Sequence, residues 1–406
     1  MSSHGLPPHL DPRGRHRGGS HDGVRAFRPI GRIVGSLVSI GLLLLAGVVW
    51  YQYRDIDNGV QRLQVQLGGQ VKSNTAEPDI DGKDQNLLVV GNDDRSNMTD
   101  AEVKELHVGR DGGSLATDTM MIVHVPADGS RATLISLPRD SFVDIPDGYR
   151  PNKLNSAYAS AYSDAVSAGK TPDQARVAGA NLLIKTITNL TGLSIDHYIQ
   201  VDLLGFYRLA GAIGGVPVNL CHNVDDRHKT NVANGSDGGS GFYMTKGKHV
   251  LDAKEALAFV RQRHNLPNGD FDRVKRQQYF LTSAFRQVAS AGILFKLREL
   301  GDALKRSVYF DNSLNLLDLA KQLENLTANN IVGKTIPVAA DGSVDPAKVK
   351  KFVAKVINGE SSTPAASGSA APTANPVATT APASKAPSSP AASPSSSSAI
   401  DSKCIN

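Results

Sequence analysis

Residues Thr171 to Leu220 read TPDQARVAGANLLIKTITNLTGLSIDHYIQVDLLGFYRLAGAIGGVPVNL. Thr171, Pro172 and Gln174 supply an N-cap, a proline at the first helical position and the third-residue partner of a capping box. The apolar spacing stays helical through Leu190, and Gly192 ends it. His197 to Asp202 then alternates as a strand, Leu203 to Ile213 returns to helical spacing, Gly214 and Gly215 break it, and Val216 to Leu220 is a second strand. Helix, strand, helix, strand in fifty residues predicts an α/β fold with a mixed central sheet flanked by helices.

The same alternation extends in both directions. Asn86 to Gly91 is a short buried strand that runs into a polar loop, Asn92 to Asn97. Met120 to Pro126 and Ala132 to Pro138 are β-rich runs separated by ADGSR, a hairpin signal. Asp252 to Val260 and Asp272 to Leu300 carry helical patterns, the second long and amphipathic. One domain over residues 86–358 accounts for these elements.

Outside it the composition changes. Residues 33–51, IVGSLVSIGLLLLAGVVWY, carry no charge over the length of a bilayer-spanning helix. Arg13, Arg15, Arg17, Arg25, Arg28 and Arg32 crowd its N-terminal side, and Trp50, Tyr51 and Tyr53 stand at its far end. The expectation is a disordered basic cytoplasmic arm over 1–30, a single transmembrane helix over 31–53, a juxtamembrane linker over 54–85 and an extracytoplasmic domain beyond. Residues 359–406 are rich in Ser, Ala, Pro and Thr, and a disordered tail is expected there. The formal charge of +5 is concentrated in that arm and between Arg261 and Arg276, where acids intervene, so nucleic-acid binding is excluded as a reading. Cys221 and Cys404 are the two cysteines; outside the cytoplasm they have the opportunity to pair, and whether they meet is open at this level.

The densest chemistry lies in FVRQRHNLPNGDFDRVKRQQ, Phe259 to Gln278. Arg261 and Arg263 share a side if the chain leaves its helix in extended form. Arg273, Arg276 and Gln277 follow at helical spacing near a helix N-terminus, where an anion is favoured. Arginine suits bidentate phosphate contact; the plainer alternative pairs these residues with Asp270 and Asp272. Gly91-Asn92-Asp93-Asp94-Arg95 and Thr117-Asp118-Thr119 place acids at strand ends, suited to Mg²⁺ held by few carboxylates and substrate phosphates, or else to ordinary turns. Arg139, in LPRD, and Lys153 add positive charge if they face the same cavity. Leu182, Leu183, Ile187, Leu203, Phe206, Leu209 and Ile213 are candidates for an apolar tunnel and equally for helix core.

Together, GNDDR, TDTMM, LPRD, NKLNSAY, HYIQVDLLGF with GAIGGVPV, LDAKEALAFVRQRH and GDFDRVKRQQ resemble the LytR-CpsA-Psr family of wall-polymer ligases, in its actinobacterial type. The resemblance covers residues 84–290. It implies an α/β domain outside the membrane that holds a polyprenyl-pyrophosphate lipid with Mg²⁺ (or Mn²⁺) at the pyrophosphate. It assigns Asp93 and Asp118 to the metal, and Arg139, Lys153, Arg261, Arg263, Arg273 and Gln277 to the pyrophosphate, with Asp270 and Arg276 in the same motif. Asp93, Asp118, Arg139 and Arg263 form the implied catalytic set. Asp272 departs from the family's small residue after Phe271. The implied donor is a glycopolymer on a polyprenyl-pyrophosphate carrier in the cytoplasmic membrane, and the acceptor is peptidoglycan. Rival readings are a lipid-pyrophosphate hydrolase with the same residues, or a non-enzymatic wall-binding or regulatory membrane protein.

Overall fold

The computed structural model describes residues 54–68 except 56, 84–227 except 107 and 109–112, 239–262, 265–267, 270–290, 404–405 and, with short gaps, 301–358. The chain divides into two compact units, residues 1–55 and 56–406. The expected arm, membrane helix and most of the tail lie outside the described residues. No helix among the described residues is long and apolar enough to cross a membrane.

The strands of the second unit are β1 (Gln61–Leu63), β2 (Gln85–Asp94), β3 (Gly113–Val125), β4 (Ala132–Ser136), β5 (Phe142–Val143), β6 (Asn152–Lys153), β7 (His197–Val201), β8 (Val216–Leu220), β9 (Val224–Asp225), β10 (Tyr243–Met244), β11 (Gly247–Leu251), β12 (Val308–Asp311) and β13 (Ile331–Thr335). The helices are α1 (Asp100–Glu105), α2 (Ser156–Ser167), α3 (Pro172–Thr191), α4 (Leu203–Ala212), α5 (Ala253–Arg261), α6 (Asp270–Ser290), α7 (Leu316–Gln322) and α8 (Pro346–Ile357). Seven strands form one sheet in the order β1-β12-β7-β2-β3-β4-β13. β1 pairs parallel with β12, β7 with β2 and β4 with β13, whereas β12 with β7, β2 with β3 and β3 with β4 are antiparallel. The expected mixed sheet is therefore present.

Strand alternation sorts the core. Leu88, Val90, Met120 and Ile122 pack with Leu183 and Ile187 of α3 and Val349 and Val353 of α8. Leu87, Met121 and Val123 face the other way, against Leu326 with Phe285 of α6 and Leu319 of α7 beside it. A third cluster joins α4, α5 and α6 to β8 and β11 through Leu204, Val218, Leu257 and Phe280.

α3 starts as its sequence dictates: Thr171 accepts from the Gln174 amide, Gln174 reaches back, and Gly192 closes the helix at φ 75°. Asp202 ends β7 and caps α4. Three expectations shift. The segment read as a linker contributes β1, whose Gln61 pairs with Tyr309; three residues with a single buried Leu63 are too few to show alternation. β3 begins seven residues before Met120, because its N-terminal half pairs with Asn92 to Asp94 across register shifts. α6 begins at Asp270, so Asp272 lies inside its first turn.

Candidate functional site

β2 and β3 leave the regular ladder where the acids stand. Gly91 pairs with Thr119 and Asn92 with Thr117, so Asp118 falls in the shift as the extra residue; a second shift pairs Asp93 with Ser114. Such bulges re-aim side chains and end pairing, which is how two acids come to project from the end of a sheet. Asp93 is 26% exposed and is gripped by Arg95, whose Nε donates to Oδ1 at 2.9 Å while Nη2 meets Oδ2. Asp118, 31% exposed, pairs with Nη1 of Arg139. Nε of Arg139 reaches Asp140 at 3.3 Å, and Lys153 Nζ donates to the other Asp140 oxygen at 2.8 Å. Burial alone would raise the Asp140 carboxyl, but the Lys153 hydrogen bond and the Arg139 charge hold it below its ordinary value.

The backbone fixes this group. Leu137 N donates to Met120 O at 2.9 Å, Asn155 N to Arg139 O at 3.1 Å and Leu154 N to Ser141 O at 2.8 Å. These bonds stitch the end of β4, the β5–β6 hairpin and the entry to α2 into one frame. Asp118, Arg139, Asp140 and Lys153 are thus brought together, with Asp93 on the neighbouring strand β2 and Arg95 just after it.

The arginine motif builds a second group. α5 ends at Arg261, and Gln262 leaves it in extended conformation (φ −53°, ψ 130°) with its side chain fully buried. Arg263 lies outside the described residues. Arg276 is buried, donates Nη1 to Gln262 Oε1, and places its guanidinium 4.8 Å from the centre of the Phe259 ring. Desolvation lowers its pKa to about 10, against the stabilising charges of Asp272 and Asp226. Arg276, which the sequence groups with the pyrophosphate contacts, therefore stands behind the motif, buried on the inward face of α6. Arg273 is likewise buried, and Gln277 Nε2 lies 3.5 Å from Val260 O. Asp272 is buried beside these cations, with Lys275 Nζ at 3.6 Å, so its extra charge serves the interior of the motif.

The tunnel candidates do not share one lining. Leu182, Leu183 and Ile187 belong to the sheet-facing core, Leu203, Phe206 and Ile213 to the α4–α6 cluster, and Leu209 to a cluster around Val308 and Phe310. α3 and α4 present their apolar faces to different layers, which their sequences alone do not separate. Of the seven, Leu182 borders a cavity of about 480 Å³ that Leu67, Tyr149 and Lys185 also line. Cys221 and Cys404 are joined in a disulfide.

Comparison with known proteins follows this geometry. The LytR_cpsA_psr family profile matches residues 51–360. The chain belongs to the LytR-CpsA-Psr family. It is 37% identical over 343 residues to the cell wall biosynthesis protein LcpA of Corynebacterium glutamicum, covering 79% of this chain and 62% of LcpA. It is 27% identical over 292 residues to the polyisoprenyl-teichoic acid–peptidoglycan teichoic acid transferase TagU of Enterococcus faecalis, covering 69% of this chain and 80% of that protein. Among solved structures, protein gbs0355 of Streptococcus agalactiae shares the fold at a TM-score of 0.51 and 18% identity, over 71% of this chain and 93% of its own.

In this LytR-CpsA-Psr chain, no group of three or more His, Cys, Asp and Glu gathers among the described residues. The two acids that the motifs offer are partly exposed carboxylates on adjoining strands, Asp93 near the end of β2 and Asp118 at the bulge within β3. That suits Mg²⁺, which takes one or two protein carboxylates and completes its shell with water and phosphate oxygens. Sequence reading missed the partners. Arg95 stood beside the GNDDR acids with no role assigned, although its two-residue spacing from Asp93 was a usable signal. The cation that pairs with Asp94, Arg176, comes from a segment 82 residues away and left none.

Proposed function

We propose that this chain is a phosphotransferase that moves a glycopolymer from a polyprenyl-pyrophosphate carrier to peptidoglycan. The observation that carries the reading is the cluster at the β2–β3 bulge, in which Asp118, Arg139, Asp140 and Lys153 meet, with the Asp93–Arg95 pair on β2 and just after it. Family membership and the printed names of LcpA and TagU support it.

Phosphoryl transfer asks little covalent chemistry of a protein; positioning and charge neutralisation carry most of the rate. An acceptor sugar hydroxyl attacks the phosphorus next to the glycan. A new P–O bond forms, the bond to the bridging anhydride oxygen breaks, and polyprenyl phosphate leaves while the hydroxyl proton passes to a base. Arg139 and Lys153, with Arg261 and Arg263, balance the charge that collects on the leaving phosphate. Asp93 and Asp118 would hold Mg²⁺, which supplies charge stabilisation at the pyrophosphate oxygens. Each acid is paired with an arginine, a side chain that also suits bidentate phosphate contact. Residues 31–53 anchor the enzyme, with the catalytic domain outside the membrane. The Cys221–Cys404 disulfide supports an oxidising compartment.

The test uses the full chain in detergent with a short-chain polyprenyl-pyrophosphate glycan and peptidoglycan fragments, with products followed by mass and with metal added or chelated. A glycan joined to peptidoglycan through one phosphate is expected, and Asp118→Asn and Arg139→Ala are each expected to lower its rate by about 100-fold or more. Release of glycan phosphate and polyprenyl phosphate with water as acceptor would make the chain a hydrolase. Binding without turnover, indifferent to Asp118→Asn, would make it a wall-binding protein.

A further inference from the structure

Asp93 and Asp94 are adjacent and chemically identical, yet one is partly exposed and the other buried. Successive side chains of a strand point to opposite faces, and a one-residue slip exchanges them. At a strand end already broken by two register shifts, the ladder alone is a weak guarantee of which aspartate faces outward. What distinguishes the two is a cation from another element. Arg176, in the first turns of α3 and buried, places Nη2 3.3 Å from Asp94 Oδ2 and 3.4 Å from Ser96 Oγ. Its Nη1 donates to Asp173 at 3.1 Å, and its guanidinium lies 5.0 Å from the centre of the Tyr309 ring. The segment after Asp94 is fastened as well: Ser96 N donates to Asp94 Oδ1 at 2.9 Å, and Asn97 Nδ2 donates to Tyr309 OH at 2.8 Å.

We infer that Arg176 is a positioning residue: by holding Asp94 inside and tethering the Ser96 hydroxyl, it selects Asp93 as the aspartate that faces the site and fixes Arg95 beside it. The inference rests on the proposed function only in taking Asp93 as part of the working site. Arg176 itself is too deeply buried to touch a ligand there, so it acts through the segment it holds. An error of about 1 Å in a catalytic group can cost about 100-fold in rate, which is the scale of effect at stake.

The experiment compares full-length wild type, Arg176→Gln and Arg176→Lys in detergent, by transfer kinetics and by hydrogen exchange. In Arg176→Gln, exchange at residues 92–97 is expected to accelerate by about tenfold or more while residues 120–136 keep their protection. The kcat per folded molecule is expected to fall by about 10- to 100-fold, with the donor KM changed by less than about threefold. Arg176→Lys keeps the charge and should recover part of both losses. Unaltered exchange at 92–97, or an unaltered kcat per folded molecule, would overturn the inference and leave Arg176 a stabilising residue. If the Arg176 variants do not fold, Asp94→Asn, which keeps the shape and removes the charge, is judged by the same two outcomes. Should the wild type transfer nothing, the proposed function fails, and the exchange measurement alone decides the role of Arg176.

Discussion

Asp202 ends β7 and caps α4, with Oδ1 2.7 Å from the Gly205 amide nitrogen, at 2% exposure. Burial pushes its carboxyl up to about 7; the Gly205 hydrogen bond opposes this, the negative charge of Asp94 adds to it, and Asn97 and Arg208 pull it back. Between the unfolded value of about 4 and this folded value the native state binds more protons than the unfolded chain, so stability falls as pH rises through that window. Asp202→Asn keeps the cap and removes the ionisation. It is expected to match wild type near pH 4 and to exceed it at pH 8 by about 1 to 4 kcal/mol, as read from denaturant midpoints. Equal losses at both pH values would show that the carboxylate is needed as an ion. Arg276 gives the opposite case. Removing a buried cation from Gln262, Phe259 and the nearby acids leaves those groups unmatched, and Arg276→Ala should cost about 3 to 5 kcal/mol in a urea melt. A cost under about 1 kcal/mol would mean that Arg276 contributes no more than a solvated surface cation.

Elements were legible where local chemistry decides them. The capping box at Thr171, the glycine at 192 and the short apolar run within β2 are all short-range signals, and the structure follows them. β12 was not legible, because it takes its place between β1 and β7 from partners more than a hundred residues away. The site divides the same way: the acids and the adjacent Arg95 stand together in the sequence, whereas Asp118 falls inside β3 and not at its end, and Arg139 and Arg176 reach their acids through tertiary packing. α4 permits a sharp test of such packing. A Cβ on Gly205 would lie 2.4 Å from Ser307 O at the approach to β12, while one on Gly211 would sit 3.6 Å from the Ala253 Cβ, an ordinary contact. Gly205→Ala should therefore destabilise by about 1 to 3 kcal/mol. Gly211→Ala should stabilise by about 0.5 to 1 kcal/mol, by restricting the unfolded chain. Thermal melts of the two variants should move in opposite directions, and a shift of the same sign in both would mean that α4 is not held against β12 as described.

For the molecule as a whole, the longest covalent constraint is the bond between Cys221 and Cys404, 183 residues apart. It is reinforced by backbone pairing: Cys221 N donates to Ile405 O at 2.9 Å and Ile405 N to Asn219 O at 2.8 Å, so the chain's end extends the β8–β11 pair on the free side of β8. Ile405 also packs against the cluster that includes Val218 and Phe259, the same layer that carries the arginine motif. A cross-link over so long a loop restricts the unfolded chain by about 5 kcal/mol on the chain-entropy account, and native disulfides commonly contribute about 2 to 4 kcal/mol. Cys404→Ser is expected to lower stability by about that smaller amount, and reduction of the wild type should reproduce it. The effect should be regional. Hydrogen exchange should quicken in β8, β11 and α5, which share a layer with Ile405, while β2, β3 and β4 keep their protection, since their cores face α3, α8, α6 and α7. Thiol titration supplies the control: no free thiol before reduction and two after. Two free thiols in the oxidised, purified protein would remove the constraint altogether, and uniform loss of protection would mean that the two layers unfold as one.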